Sequence, residues 1–193
     1  MAKLKRSDLL SADASPSERE AFRTRSAAHQ RSRKIGLGEH VILQFEDHLT
    51  VQHRLQEWLW VLQSSEAAVL RTQIAQCKAL IPDGSDLKAT WRFTYTESAQ
   101  HTLALANLKG IEARIYGEVE GLGRSFAIAE QVALQDHTGE AHNVQFLRFQ
   151  FNEEQIMAVR AGAEFGFGID DDRMRVAHTL KRQSRAALLA DFD

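Results

Sequence analysis

"HVILQFEDHLTVQHRLQEWLW", residues 40–60, carries the decision about the fold. Its first part, "HVILQFE" (40–46), alternates as a strand does, with side chains pointing to opposite faces at every step. From Asp47 onward the period changes. Val51, Leu55, Trp58, Leu59 and Leu62 fall on one stripe of a helix running from His48 or Leu49 to about Gln63. Asp47 stands where a helix N-cap is needed, and its short carboxylate suits that position. A strand that passes directly into an amphipathic helix predicts a sheet with a helix folded back on it.

Outward from this junction the chain keeps mixing the two periods. A second helix is expected from about Glu66 to Leu80, with Leu70, Ile74, Cys77 and Ile81 at matching spacing and "IPDG" (81–84) as its turn. The pair would form a helical hairpin near 48–80. Upstream, "SPSE" (15–18) reads as a helix start, with Ser15 as cap, Pro16 at the first helical position and Glu18 closing a capping box. That helix is strongly basic and is expected on the surface from about 16 to 34, ending at "GLG" (36–38). Downstream, "ATWRFTYT" (89–96) reads as a strand, Thr96 caps a short helix ending near Gly110, and "IEARIYGEVE" (111–120) and "RSFAIAE" (124–130) form a hairpin. "VQFLRFQF" (144–151) is another strand. Asn152 and Gln155 bracket the start of a short helix ending near Gly162. "EFGFGID" (164–170) is a strand and "RQSRAALLADF" (182–192) a closing helix. Without a regular βαβ rhythm, this order predicts an α+β fold with a mainly antiparallel sheet and packed helices. No linker divides residues 1–193, which read as a single domain with a basic N-terminal helix.

Composition narrows the class. The 193 residues are 44% hydrophobic and 26% charged, ordinary for a globular domain able to bury a core without staples. The chain has one cysteine, Cys77, which fits a reducing compartment. The N-terminus lacks the apolar core of a secretory signal, and no run approaches the roughly 18 apolar residues of a membrane span. The sequence reads as that of a soluble cytoplasmic protein. A net charge of −2 gives no overall attraction to nucleic acid, and no recognised nucleic-acid motif accompanies the basic helix.

No motif names a reaction. Neither "GLG" opens a dinucleotide fingerprint, and there is no P-loop or GxSxG elbow. A single cysteine excludes a CxxC mechanism and an iron–sulfur cluster held by this chain alone. The polar residues of the opening stretch are the remaining candidates. His53 and Glu57, four apart, project from one helix face, and Glu46 approaches from the strand end. An imidazole and two carboxylates would suit iron or another divalent transition metal. Set against this is an ordinary helix-surface pair, the commoner meaning of that spacing. Gln52 and Gln56, one turn apart, are candidates for a polar network around Glu46 and Glu57, with Arg33 and Arg148 as guanidinium partners. Glu46 and Glu57 are expected to face one interior region with an arginine or a ligand between them. Asp170, Asp171, Asp172 and the nearby His178 are a weaker alternative for a cation, because the run lacks the spaced ligands of an EF-hand. His137 and His142 lie in an expected loop. Cys77 reads as a small core residue.

"LGEHVILQFEDHLTVQHRLQE" (37–57), "LIPDGSDLKAT" (80–90), "LKGIEARIYGEVEG" (108–121), "FLRFQFNEEQIMAVRAGA" (146–163) and the terminal "RAALLADFD" together resemble a bacterial family of domains of unknown function. The resemblance spans nearly the whole chain. It implies a genomic neighbourhood of rubrerythrin-like di-iron proteins and iron–sulfur oxidoreductases, and hence a redox or oxidative-stress setting with such a protein as partner. The family pattern falls on Glu46, Gln52, Gln56, Glu57, Arg33 and Arg148, with Asp47 at a position that takes Asp or Asn. The chain departs from it at Thr94, where many members carry Glu, and at Gln145, where some carry His. His48 and His53 are not family positions. The expected role is an accessory or partner protein of a bacterial redox system with a non-haem metal site. The alternative is a binding module that docks an acidic partner through its basic helix.

Overall fold

The structure, a computed structural model, describes residues 4–62, 67–94, 106–130 and 145–192. Among these residues five α-helices and nine strands form an α+β fold with two antiparallel sheets. The first sheet has the order β1 (Lys34–Leu37), β2 (Val41–Phe45), β3 (Asp86–Phe93), β7 (Gln145–Gln150), β6 (Ile128–Glu130). The second has the order β5 (Gly123–Phe126), β4 (Ile115–Val119), β8 (Phe165–Asp171), β9 (Met174–Thr179).

Alternation explains how the sheets meet. Val41, Leu43 and Phe45 of β2, Leu87, Ala89 and Trp91 of β3, and Leu147 and Phe149 of β7 are all buried on one face of the first sheet. Ile115 and Val119 of β4 and Phe165, Phe167 and Ile169 of β8 meet them from the second. Phe167 is the common centre. Its ring lies 4.6 Å from Phe45, 5.2 Å from Phe149 and 5.1 Å from Phe165, in the tilted and edge-on arrangements aromatic quadrupoles favour. Gly117 sits under this cluster because a Cβ there would lie 2.8 Å from the Phe151 ring. Ala127 joins the sheets. The chain leaves β5 in one sheet, donates from Ala127 N to Ile115 O at 2.8 Å, and enters β6 in the other.

The other face of the first sheet is covered by α2 (His48–Leu62) and α3 (Ala67–Lys78), the expected hairpin. Val51, Leu55, Trp58, Leu59, Ile74, Cys77 and Leu80 pack there with Phe146 of β7 and with Leu4 and Leu9 of the N-terminal segment. Helix α1 (Pro16–Arg31) lies on α2 through Phe22, whose ring is edge-on to Trp60 at 6.0 Å and stacked with His53 at 5.9 Å. Its start is the predicted capping box, with Glu18 N donating to Ser15 Oγ at 3.3 Å and Ser15 N donating to Glu18 Oε2 at 2.8 Å. Helix α4 (Glu153–Ala161) starts on the reciprocal Asn152–Gln155 pair and stops at Gly162, whose φ of 116° suits glycine. Helix α5 (Arg182–Leu189) and the turn after it bring the C-terminus back to α1.

Several boundaries differ from expectation. The basic helix ends at Arg31 rather than near Lys34, because Ile35 and Leu37 alternate into the core and draw Lys34–Leu37 into β1. Residues 111–114 form a short 3-10 turn ahead of β4. The segment 124–130 is divided between sheets. Strand β9 was missed because its burial alternates only between exposed and intermediate, leaving no apolar run to read. The helix expected to start at Thr96, apart from its last residues, and the loop carrying His137 and His142 lie outside the described residues.

Candidate functional site

The polar side of α2 divides between two neighbours. Successive helical residues are rotated by about 100°, so residues 50 and 54 face the sheet while 53 and 57 face α1. Glu46, 1% exposed, sits at the end of β2 and belongs to the first group. Its Oε1 accepts from Arg54 at 2.6 Å and from Thr90 Oγ1 at 2.5 Å, and its Oε2 accepts from Thr50 Oγ1 at 2.6 Å. A buried carboxylate is tolerated only when paired and hydrogen-bonded, and these three donors meet that requirement. Glu57 belongs to the second group. Arg23 of α1 grips it with Nε and a terminal nitrogen, both at 2.8 Å. His53 lies beside it, 3.9 Å from Glu57 Oε1 and 3.4 Å from the amide nitrogen of Gln30.

The structure thus brings His53 and Glu57 together but gives Glu46 and Glu57 separate arginines on separate sides of the helix. Among the described residues no group of three or more His, Cys, Asp or Glu side chains is placed to hold a metal ion. The expected glutamine network is also redistributed. Gln56, fully buried, accepts from Leu10 N at 2.8 Å and donates to Leu10 O at 3.3 Å, as a neighbouring strand would. Gln52 donates to Asp8 O, and Trp60 Nε1 to Ser11 O at 3.2 Å. These side chains fasten the N-terminal segment to α2. Arg148 pairs with Glu130 across β6 and β7 at 2.7 Å, whereas the arginine that holds Glu46 is Arg54.

Arg33 organises a different constellation. It is 2% exposed and holds Asp191 with two bonds of 2.8 and 2.6 Å. It also donates to Ala187 O at 2.9 Å and places Nε 2.9 Å from Asp47 Oδ2. That same Oδ2 lies 2.6 Å from His29 Nε2. Asp47 performs its predicted capping task too, with Oδ1 accepting from Thr50 N at 2.9 Å and Asp47 N donating to Thr50 Oγ1 at 2.8 Å. The adjacent residues Glu46 and Asp47 therefore anchor two networks, one toward the sheet and one toward the C-terminus. The second opens on a cavity of about 420 Å³. His29, Ser32, Arg33, Asp47, His48 and Asp191 supply its polar wall, and Ile81, Pro82, Ala187 and Ala190 its apolar one. A mostly formed hollow with few convergent polar groups is the usual form of a ligand site.

Sequence reasoning named Arg33 and Asp47 but not their meeting place. His29 stood alone in a basic helix and Asp191 in a terminal segment, 158 residues from Arg33. Only their residue types offered a signal. The other candidates have structural partners. Asp170, Asp171 and Asp172 pair with Arg124, Arg173 and Arg175, and the two bonds from Arg173 hold Asp171 far below the usual carboxylate range. His178 faces Phe167 across β8 and β9. Cys77 is 1% exposed, and burial pushes its thiol up to about 11.

The α1–α2 contact makes a prediction about pH. Burial pushes the His53 imidazole below its ordinary value of 6.5, against the pull of Glu57. The unfolded chain then binds this proton more readily. The contribution of His53 to stability is present above that value and is lost as pH falls through the window beneath it. Glu57, held down mainly by the Arg23 bond, acts in the same sense at lower pH, below its ordinary 4.5. Asp86 and Asp191 oppose it there, since burial raises both. The melting temperature is expected to fall on acidification from about pH 7 to about pH 5.5. His53→Phe keeps a ring against Phe22 and should flatten this part of the profile. A His53→Phe profile parallel to wild type, measured by calorimetry, would show that His53 is not responsible.

The class defined by this geometry is an α+β protein of two packed antiparallel sheets, with a buried ion trio opening on a polar cavity. The chain belongs to the family described as "Protein of unknown function (DUF3501)", which matches residues 3–192. It is similar, at 30% identity over 100% of both chains and with a TM-score of 0.90, to the crystal structure of a novel protein of unknown function from Burkholderia pseudomallei K96243. No curated protein matches the chain. Among the described residues no helix is long and apolar enough to cross a membrane.

Proposed function

We propose that this protein is an accessory binding protein of a bacterial redox system, with the cavity beside His29 and Asp47 as its ligand site. The observation that carries the ligand site is Arg33, buried between Asp47 and Asp191 at the cavity wall. A buried ion cluster is a poor way to stabilise a fold, because apolar residues of similar volume do as well or better. Next to an open cavity it offers fixed charge for recognition. The redox setting comes from the family resemblance. An accessory role fits the one thiol, which is buried and held protonated and so is a weak nucleophile. In this reading a rubrerythrin-like or iron–sulfur partner carries the electrons.

Two measurements test it. In an NMR screen of small amines, carboxylates and alcohols, hits are expected to move the amides of His29, Ser32, His48, Ala187 and Ala190. They should vanish in the cavity-filling Ala187→Trp. Hits scattered elsewhere, or none, would refute the site. Elemental analysis after anaerobic iron addition addresses the accessory role. The protein is expected to retain no stoichiometric iron. Stoichiometric iron that is lost in His53→Ala and Glu57→Gln would replace this reading with a metal centre at Glu46, His53 and Glu57. Docking through α1 is the weaker alternative, since Arg19 and Arg23 are already engaged with the Ala12 and Ala14 carbonyls and with Glu57.

A further inference from the structure

We infer that the cavity between α1, the start of α2 and the C-terminal helix selects a small aliphatic ammonium compound. The inference rests on the ligand site proposed above and adds the chemistry of what enters it.

Charge gives the first argument. Two carboxylates, Asp47 and Asp191, share one guanidinium, that of Arg33. Between these three side chains the carboxylates outnumber the guanidinium by one. The partnership with Arg33 does not fully settle Asp191. Burial raises its carboxyl above the ordinary value even though two bonds from Arg33 act to lower it, and the neighbouring Asp47 adds to the rise. A carboxylate in that condition gains from a further cation. An anion would meet both carboxylates, and the one guanidinium of the wall, that of Arg33, already lies against both of them.

Donor and acceptor count gives the second. Asp47 Oδ2 has His29 Nε2 at 2.6 Å and Arg33 Nε at 2.9 Å beside it, and Oδ1 accepts from Thr50 N. Each carboxylate oxygen can still accept another hydrogen bond. Ser32 Oγ directs its proton to His29 O at 2.9 Å, which leaves its own lone pairs as acceptors. The wall is thus rich in acceptors, and a primary ammonium brings three donors. Ile81, Pro82, Ala187 and Ala190 offer the opposite wall to an alkyl chain. The size, about 420 Å³, is that of a small-molecule site.

The test is an amide NMR titration of the full chain at low salt with n-butylamine, butyrate and 1-butanol, which share a four-carbon body. Butylamine is expected to shift the amides of His29, Ser32, His48, Ala187 and Ala190 saturably. Added salt should weaken it, since the ammonium is a free ion in solution before it binds and the cavity opens to solvent. Butyrate and butanol should bind at least about tenfold more weakly, the discrimination of one well-placed charge. Asp191→Asn removes the excess charge and should bring butylamine and butanol within about threefold of each other. It also stands in if Ala187→Trp does not fold. Nα-acetyl-lysine methylamide separates two sources of the same chemistry. Binding weaker than butylamine assigns the site to a free amine, and tighter binding to a lysine of a protein partner. Equal or stronger response to butyrate or butanol at the same amides overturns the ammonium assignment and leaves the ligand site standing. No response to any probe at these amides overturns both.

Discussion

Arg33→Met is expected to lower the free energy of unfolding by about 3–5 kcal/mol, the range for breaking a buried ion pair by removing one partner. The side chain is 2% exposed and has two carboxylates against it, at 2.6 Å for Asp191 and 2.9 Å for Asp47. Methionine fills much of the volume but leaves both charges without their cation. Asp47 also caps α2 and Asp191 ties down the C-terminal turn, so the loss spreads to two elements. For a chain of this size about 2–4 °C is lost per kcal/mol. A fall of roughly 10 °C should appear in calorimetry at neutral pH. Acidification should narrow the gap between variant and wild type, because protonating the stranded carboxylates removes the uncompensated charge. The double variant Arg33→Met with Asp191→Leu should recover part of the loss, since no buried charge then remains on that side. A single variant within about 1 kcal/mol of wild type would mean that the trio is far better solvated than its burial implies.

Phe167→Ala is the other large effect, with an expected cost of about 3–5 kcal/mol. Phe167 is 1% exposed and its ring touches those of Phe45, Phe149 and Phe165. Two of these come from the opposite sheet, so truncation removes the contact that joins the layers. The void has little chance to collapse. Strand β8 is paired on both sides, with β4 and β9, and its backbone cannot sink toward the first sheet. Since a domain is commonly stable by only 5–15 kcal/mol, such a loss brings this one close to its limit. Denaturant unfolding followed by tryptophan fluorescence reads it, because Trp91 belongs to the same core. Phe167→Leu should cost clearly less than Phe167→Ala. Equal costs would mean that the volume leucine retains contributes nothing and that the whole loss lies in the contacts of the ring itself.

The elements that sequence reasoning found are those with a local cause. The capping boxes of α1 and α4 depend on residues three apart, and Ser15 with Glu18 and Asn152 with Gln155 form them as read. The apolar stripe of α2 is a local period, and it does face the core. Asp47 caps α2 through Thr50, again three residues away. The boundaries that moved have distant causes. Lys34–Leu37 leaves the helix because β2 is present to pair with it, and 124–130 divides because one half meets β4 and the other β7.

The same division holds for the candidate site. Local spacing correctly set His53 beside Glu57 on one helix face, but it could not see Arg23, which comes from a separate helix and takes the carboxylate. Gln52 and Gln56 were identifiable as amides needing partners, and the partners turned out to be backbone groups of residues 8 and 10. Composition, period and caps follow from interactions within a few residues, and these the amino-acid order states directly. Which charge meets which across 158 residues, as Arg33 meets Asp191, follows from how two sheets and a terminal helix pack. Electrostatic pairing acts through space at about 3 Å regardless of chain separation, so the cavity beside Arg33, Asp47 and Asp191 exists only once the chain has folded.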